Sequence, residues 1–414
     1  MNFQNRLKQI VRRPGPYAIL SWRYLLPGQS AAVCLHKLVF LHAWPNKPRV
    51  VWFVIALFSY AKWFAFQGGI RLWKVWKKLS PVLQEKTGIS RNKQFTDLLK
   101  LVFLQTTPPH FYYRYRLYRY TTLEWFNFIY NHELPNWHRV MSPGVSQKTT
   151  RLLSDKAAFA REMQKQGFPV IEGIVIHKGN QLTKEQLFQQ RSLFLKPLCG
   201  SRKIGAYELK YNVSAESYTL NISENETIDT RKEIISFFQS LTEKQDYLIQ
   251  PLLLNHPDLQ KLTDYHSLIT FRVITVWAEN KALSISVVAE FPVNDSSEYV
   301  YPLPVNLQSG TILTVKEKAV TIKEGIEPKF EDIPGHQVIY WNELVDIAQK
   351  AHAVFPDLFS IGWDLAVTPE GVLLIEGNIN WAVNAHQLNA PALMPAHLSY
   401  ARADIFKNKN VQRI

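Results

Sequence analysis

Cysteine is almost absent from this chain. Two residues among 414, Cys34 and Cys199, exclude a disulfide framework and fit a reducing compartment. Long apolar runs are missing as well. The strongest candidate, VVWFVIALFSYAKWFAF (Val50 to Phe66), is interrupted by Ser59, Tyr60 and Lys62. It falls short of the ~20 apolar residues that a spanning helix needs. The first apolar run near the N-terminus is broken by Pro, Arg and Gly, so no cleavable signal peptide is expected. Acidic residues are scarce in one region only. Residues 1–150 hold 22 Lys and Arg but four acids, Glu85, Asp97, Glu124 and Glu133, a balance of +18. The other 264 residues hold 26 basic and 30 acidic side chains, a balance of −4. Such asymmetry marks two different tasks. The back of the chain reads as an ordinary soluble, cytoplasmic enzyme. The front seeks something anionic.

The front is also rich in aromatics. After Gly68-Gly69 comes RLWKVWKK, where Trp73 and Trp76 sit among Arg71, Lys74, Lys77 and Lys78. Trp beside Lys is the composition of a headgroup-level interface. Further on, FYYRYRLYRY (Phe111 to Tyr120) alternates aromatic and basic residues. An anionic membrane surface, a nucleic acid or an acidic glycan could each be the partner. A helical domain with an aromatic core and a solvated basic face would have the same composition. No nucleic-acid motif is present, which disfavours that partner.

The texture changes after Pro143-Gly144. LLSDKAAFAREMQKQGFPV offers Ser154 or Asp155 as an N-cap, then a helix with Phe159 and Met163 on one face that ends at Gly167. SLFLKP is a strand ending in Lys196, followed by a loop from Gly200 to Gly205 and a second strand, AYELK. A lysine beside such a loop can grip phosphates. DYLIQP is another strand. In the long strand SLITFRVITVWA, Arg272 is a charge that must find a partner, either an anion bound at the site or a structural salt bridge. WNELVDIAQKAHAVF is an amphipathic helix with Leu344, Ile347, Ala351 and Phe355 on one side.

The most informative stretch is IGWDLAVTPEGVLLIEGN, residues 361–378. Two apolar runs flank Thr368-Pro369-Glu370-Gly371, a turn sequence, so the stretch reads as a hairpin. Asp364 and Glu376 are equidistant from residue 370 and should face each other. Opposed carboxylates repel unless a cation lies between them. Asn378 shares the face of Glu376. Two carboxylates and an amide oxygen suit Mg²⁺ carrying phosphate oxygens.

Taken together, these segments resemble the ATP-grasp superfamily, and within it the sugar-transfer-associated branch. Asp155-Lys156 and Gly167 to Pro169 resemble its first helix. Phe194 to Pro197 with GSRKIGA resembles its lysine strand and phosphate loop. DYLIQPLLLNHPDL resembles its hinge, TFRVIT its arginine strand and IGWDLAVTPEGVLLIEGN its metal hairpin. The likeness covers roughly residues 145–390. There are two departures: Arg202, Lys203 and Ile204 occupy a loop usually richer in glycine, and NINWAVNAH stands where a proline-glycine pair is expected.

The resemblance implies an α+β protein, with two α+β subdomains clasping ATP behind a mainly helical, basic N-terminal domain. The implied boundaries are 1–145, 146–265 and 266–414. It implies that Lys156, Lys196 and the loop residues Gly200, Ser201, Arg202, Lys203 and Gly205 contact phosphates. The backbone of Gln250, Pro251, Leu252 and Leu253 would face adenine. Asp364, Glu376 and Asn378 would hold Mg²⁺, and Arg272 would steady the transferred phosphoryl group or its acceptor. The implied activity is ATP-dependent carboxylate–amine ligation through an acyl phosphate, on a small-molecule, glycan, peptide or lipid-linked acceptor. A kinase on the same fold, or a nonenzymatic ATP-binding module of a glycan-assembly complex, are the competing expectations. The basic region could hold the protein peripherally at the inner membrane face.

Overall fold

The computed structural model describes residues 16, 18–42, 49–198, 205–223, 226–294, 300–315 and 333–401. The chain divides into two compact units. One comprises Met1–Pro143, Val315–Glu327 and Asn380–Ile414; the other comprises Gly144–Thr314 and Pro328–Ile379. The tail from Asn380 therefore clusters with the N-terminal region.

The second unit is α+β and holds two antiparallel sheets. The first contains β1 (Ile174–Ile176), β2 (Leu193–Pro197), β3 (Tyr207–Asn212), β4 (Ser217–Ser223), β5 (Glu226–Ile228) and β6 (Tyr247–Pro251), in the order β1-β6-β2-β3-β4-β5. Alternation along β2 buries Leu193 and Leu195 in a core shared with Ile234 and Phe238 of helix Arg231–Thr242. The same alternation turns Lys196 to the opposite face. The second sheet contains β7 (Thr270–Ala278), β8 (Lys281–Pro292), β9 (Val300–Val305), β10 (Ser360–Thr368) and β11 (Gly371–Asn378), ordered β11-β10-β7-β8-β9. Helix Trp341–Ala353 buries Leu344, Ile347, Ala348 and Ala351 and packs on β7 and β8. Every residue of β10 is buried, as suits a central strand covered on both faces.

Helix Lys156–Lys165 starts where a cap is available. The Asp155 carboxylate accepts from the N–H groups of Ala157 (3.0 Å) and Ala158 (2.9 Å). Phe159 and Met163 are buried and Gly167 ends the turn at φ +81°. A helix over Gln147–Ser154 precedes it, capped by Ser146, and has no counterpart in the sequence reading.

The first unit is helical. Its longest element is an unbroken helix: Arg49–Lys62, a π turn at Trp63–Gln67, then Gly68–Thr87. Gly68-Gly69 does not interrupt it. Buried residues fall at Ile55, Tyr60, Trp63, Gly68, Leu72, Leu79, Ser80 and Leu83. The five-residue step from Trp63 to Gly68 is the π turn, and it keeps one continuous stripe against the unit's core. Trp63 Nε1 donates to Val102 O at 2.9 Å. A Cβ on residue 68 would lie 2.9 Å from both Trp63 O and Val102 Cγ1, so only glycine fits there. Among the described residues, Phe53–Thr87 is the helix long and apolar enough to cross a membrane by length and composition. In FYYRYRLYRY the aromatics turn inward. Phe111, Tyr112, Tyr113 and Tyr115 are buried, Tyr112 Oη donates to Asp97 Oδ2 (3.0 Å) and Tyr113 Oη donates to Gln94 Oε1 (3.1 Å). For this segment the aromatics are core, Tyr115 Oη also donating to Ile129 O at 3.3 Å, but Arg116 is buried with them rather than on a solvated face.

Candidate functional site

The hairpin β10–β11 sets the site. Its register pairs Thr368 with Gly371 across the two-residue turn Pro369-Glu370, a spacing that would place Ile375 opposite Asp364. A bulge between Asp364 and Leu365 in the pairing leaves Ile375 as the extra residue and brings Glu376 opposite Asp364. The opposition expected from sequence is present, but the bulge creates it. The bulge also reverses the faces of the strand. Val372, Leu374 and Gly377 are buried, whereas Glu376 and Asn378 turn to the site. Gly377 has no room for a Cβ, which would meet Trp363 Cζ3 at 2.7 Å.

Arg272 on β7 is the cross-strand partner of Asp364. Its Nε donates to Asp364 Oδ1 at 2.6 Å and its Nη2 to Oδ2 at 2.7 Å, a bidentate pair. Glu290 on β8 adds a second carboxylate, with Oε2 at 3.8 Å from Arg272 Nη2, and accepts from Thr270 Oγ1 at 3.3 Å. Of the two partners that the sequence allowed for Arg272, the structure supplies the salt bridge. Glu290 was missed, although its signal is plain: an acid inside the apolar strand VVAEFP, as anomalous as Arg272. Asn378 Nδ2 donates to Asp364 Oδ2 (3.3 Å) and Glu376 Oε1 (3.2 Å). The amide nitrogen thus faces the carboxylates, and offering Oδ1 to a cation requires the amide to turn over.

Electrostatics tie this hairpin to two lysines. Burial pushes the Asp364 carboxyl up to about 7; the Arg272 guanidinium opposes that shift and the Glu376 charge adds to it. Burial pushes Glu376 the same way, but Lys156 and Lys196 outweigh it and hold this carboxylate below its ordinary value. Burial pushes Lys196 down to about 8, and the Lys156 charge adds to the fall; Glu376 and Asp364 oppose it. Glu376 is therefore within Coulombic reach of both Lys156 and Lys196, and Asp364 of Lys196.

Of the remaining expected site residues, Gly205 is left-handed at φ +73°, and its carbonyl accepts from Tyr247 Oη at 3.0 Å. Gly200, Ser201, Arg202 and Lys203 lie outside the described residues. Gln250 and Pro251 are on β6; Gln250 is buried, with Nε2 donating to Ile171 O at 3.3 Å. The Leu252 N–H donates to Ser192 O at 3.0 Å, and Leu253 follows half-buried.

The donor set fits a hard cation. Asp364, Glu376 and the Asn378 amide offer oxygen ligands only. Among the described residues no group of three or more His, Cys, Asp or Glu side chains gathers to hold a metal. An ion here would thus complete its shell with phosphate and water oxygens, as Mg²⁺ does.

Two sheets, a lysine on one and an acidic hairpin on the other, define an ATP-grasp protein. The chain belongs to the sugar-transfer associated ATP-grasp family, whose model matches residues 137–399. Solved structures similar to it include the ATP-grasp ligase PsnB complexed with a minimal precursor, at 10% identity over 65% of this chain and 67% of that one, TM-score 0.36. D-alanine-D-alanine ligase from Helicobacter pylori is similar at 11% identity over 63% and 61%, TM-score 0.38. N5-carboxyaminoimidazole synthase from Aspergillus clavatus is similar at 13% identity over 65% and 58%, TM-score 0.37. The chain thus spans about two thirds or less of these proteins. No curated protein matches it.

The fall in Lys196 gives a test. If Lys196 grips nucleotide phosphates, as the resemblance implies, it does so as the ammonium form, which predominates below pH 8 and is lost above it. The nucleotide KM should therefore rise from pH 7 to pH 9.5 in the wild type. Lys196→Ala should raise KM roughly ten- to a hundredfold at pH 7, the worth of a charge-assisted contact, and flatten this limb. Steady-state rates across pH decide; the same rising limb in Lys196→Ala would remove Lys196 from the phosphates.

Proposed function

We propose that this protein is an ATP-dependent carboxylate–amine ligase. The observation that carries the reading is the opposed pair Asp364 and Glu376, with Lys196 in reach of both and Lys156 in reach of Glu376: two carboxylates for a metal beside two ammonium groups for phosphates. Lys156 and Lys196 hold the polyphosphate of ATP, a task in which the family resemblance also enlists Gly200, Ser201, Arg202, Lys203 and Gly205. The backbone from Gln250 to Leu253 receives adenine. Asp364, Glu376 and Asn378 hold Mg²⁺, which supplies charge neutralisation at the phosphate oxygens. Arg272 fixes Asp364 in place and lends positive potential to the transferred group.

A substrate carboxylate attacks the γ-phosphorus, the bond to the ADP oxygen breaks, and an acyl phosphate forms. An amine then attacks the acyl carbon, phosphate leaves, and the amine proton passes to solvent or base. The acceptor we favour is a glycan, peptide or lipid-linked intermediate of polysaccharide assembly, met at the cytoplasmic face of a membrane by the basic N-terminal region.

Incubation with ATP, Mg²⁺ and candidate acids, with and without hydroxylamine, tests the chemistry. Acid-dependent ADP release with hydroxamate formation is the expected result. A stable phosphorylated product that resists hydroxylamine would make the protein a kinase. ATP binding with no ADP release from any acid tested would favour a binding module.

A further inference from the structure

The first unit carries an apolar face that its own fold does not cover. On the helix containing Phe53–Thr87, Tyr60, Trp63 and Leu72 face the unit's core, while the other side shows Phe53 (69% exposed), Leu57 (61%), Phe58, Phe64, Phe66 (68%) and Trp73 to solvent. Scattered exposed apolar residues are ordinary; six large ones along one helix are not. From Phe53 to Trp73 the helix is about 30 Å long. The patch continues at Phe64 into a cavity of ≈ 490 Å³ lined also by Leu20, Trp22, Phe40, Phe103 and Leu104. The charges change immediately beyond the apolar stretch: Lys74, Lys77 and Lys78 are all exposed.

We propose that this face inserts into one leaflet of an anionic bilayer, with Phe53, Leu57, Phe58, Phe64 and Phe66 below the headgroups, Trp73 at their level, and the lysines after it on the lipid phosphates. Charge complementarity selects this occupant over another protein. The surrounding 150 residues carry +18 with four acids, and an anionic headgroup layer supplies that many counter-charges without specific geometry. Aromatics with lysines at one depth fit the water–lipid boundary. The buried stripe decides the mode of insertion. Tyr60, Trp63 and Leu72 are committed to the protein core, and 28% of the most apolar window is buried. A spanning helix would have to surrender those contacts or take its neighbours into the hydrocarbon; an in-plane helix keeps them. The inference is independent of the chemistry proposed for the second unit.

Full-length protein should co-sediment with phosphatidylcholine vesicles containing phosphatidylglycerol at low salt, and weakly with phosphatidylcholine alone. Binding should weaken as salt approaches ~1 M, where screening falls to ~3 Å, yet persist in part because the apolar contacts are unscreened. Leu57→Glu/Phe58→Glu/Phe66→Glu should lower the bound fraction roughly tenfold or more. Alanine at the same three positions serves where the glutamates disturb folding, and should weaken binding in the same direction. Lys74→Gln/Lys77→Gln/Lys78→Gln should remove the preference for anionic vesicles. Brominated lipid should quench wild-type fluorescence more than that of Trp73→Phe. Failure to bind at low salt, or binding unchanged by both triple apolar variants, overturns the proposal. Release from native membranes by detergent but not by alkaline carbonate would mean a spanning helix and overturn the one-leaflet mode.

Discussion

Glu376→Gln is expected to lower turnover by roughly three orders of magnitude with an unchanged melting temperature. A Mg²⁺ ion at a phosphoryl group contributes several kcal/mol of transition-state stabilisation, and each 1.36 kcal/mol is tenfold in rate. The protein offers that ion few groups: two carboxylates and one amide. Losing one carboxylate halves the formal charge there, while the amide keeps the shape. Glu376 is also the carboxylate that Lys156 and Lys196 hold ionised, so it brings a full negative charge to the metal at neutral pH. Asp364→Asn should be equally inactive but less stable, because it deprives Arg272 of its bidentate partner. Rates at saturating ATP and Mg²⁺, with calorimetry on each variant, decide the matter. Activity within threefold of wild type in Glu376→Gln would sink the metal assignment.

The second large effect concerns stability. Arg272→Ala should destabilise the second unit by about 3–5 kcal/mol, the usual consequence of breaking a buried pair by removing one partner. Asp364 is 8% exposed and would be left beside Glu376 and Glu290 with its principal counter-charge gone. Three carboxylates around one missing cation cannot all stay ionised, so the cost arises from the groups that remain. The double variant Arg272→Met/Asp364→Leu removes both charges and should regain much of the stability, yet stay inactive. Denaturant unfolding of the three proteins measures this. If Arg272→Ala loses less than about 1 kcal/mol, the pair is solvated and Arg272 is available to a substrate anion instead.

Much of this was legible in the sequence, for identifiable reasons. The turn at Pro369 and Gly371 and the runs beside it fix the hairpin, because strand period and turn chemistry are local. Lys196 at a strand end and the cap at Asp155 are local too. The partner of Arg272 was not legible. Asp364 lies 92 positions away, on β10, and strand order in a sheet is not written in any one strand. Glu290 was legible as an acid inside the apolar run VVAEFP; only its neighbour Arg272 on β7 was not. The π turn at Trp63–Gln67 was hidden because Gly68-Gly69 reads as a break. In the structure Gly68 is where the helix presses closest to Val102, so the missing side chain is a packing requirement. The aromatics of Phe111 to Tyr120 and those of Phe53 to Trp73 look alike in composition and end on opposite sides of the surface. Only tertiary packing separates them.

The extra residue in β11 has a consequence for how this hairpin tolerates change in length. β11 ends its sheet beside β10, and on its other side Leu374 bridges Val170, with the Leu374 N–H donating to Pro169 O at 2.8 Å, so its register is pinned as far as the bulge and is free to slip only beyond it. Deleting Ile375 would leave a regular ladder in which Glu376 follows Leu374 directly, opposite Asp364 and on the site face, with Gly377 still against Trp363. Flattening the bulge with Ile375 retained would do the reverse: Ile375 would face Asp364, and Glu376 would fall on the face of Leu374, inside the apolar layer. One position of slippage at the bulge thus exchanges a carboxylate for an isoleucine at the site. In this strand the placing of one extra residue is a chemical variable, as decisive as the identity of the acid it delivers.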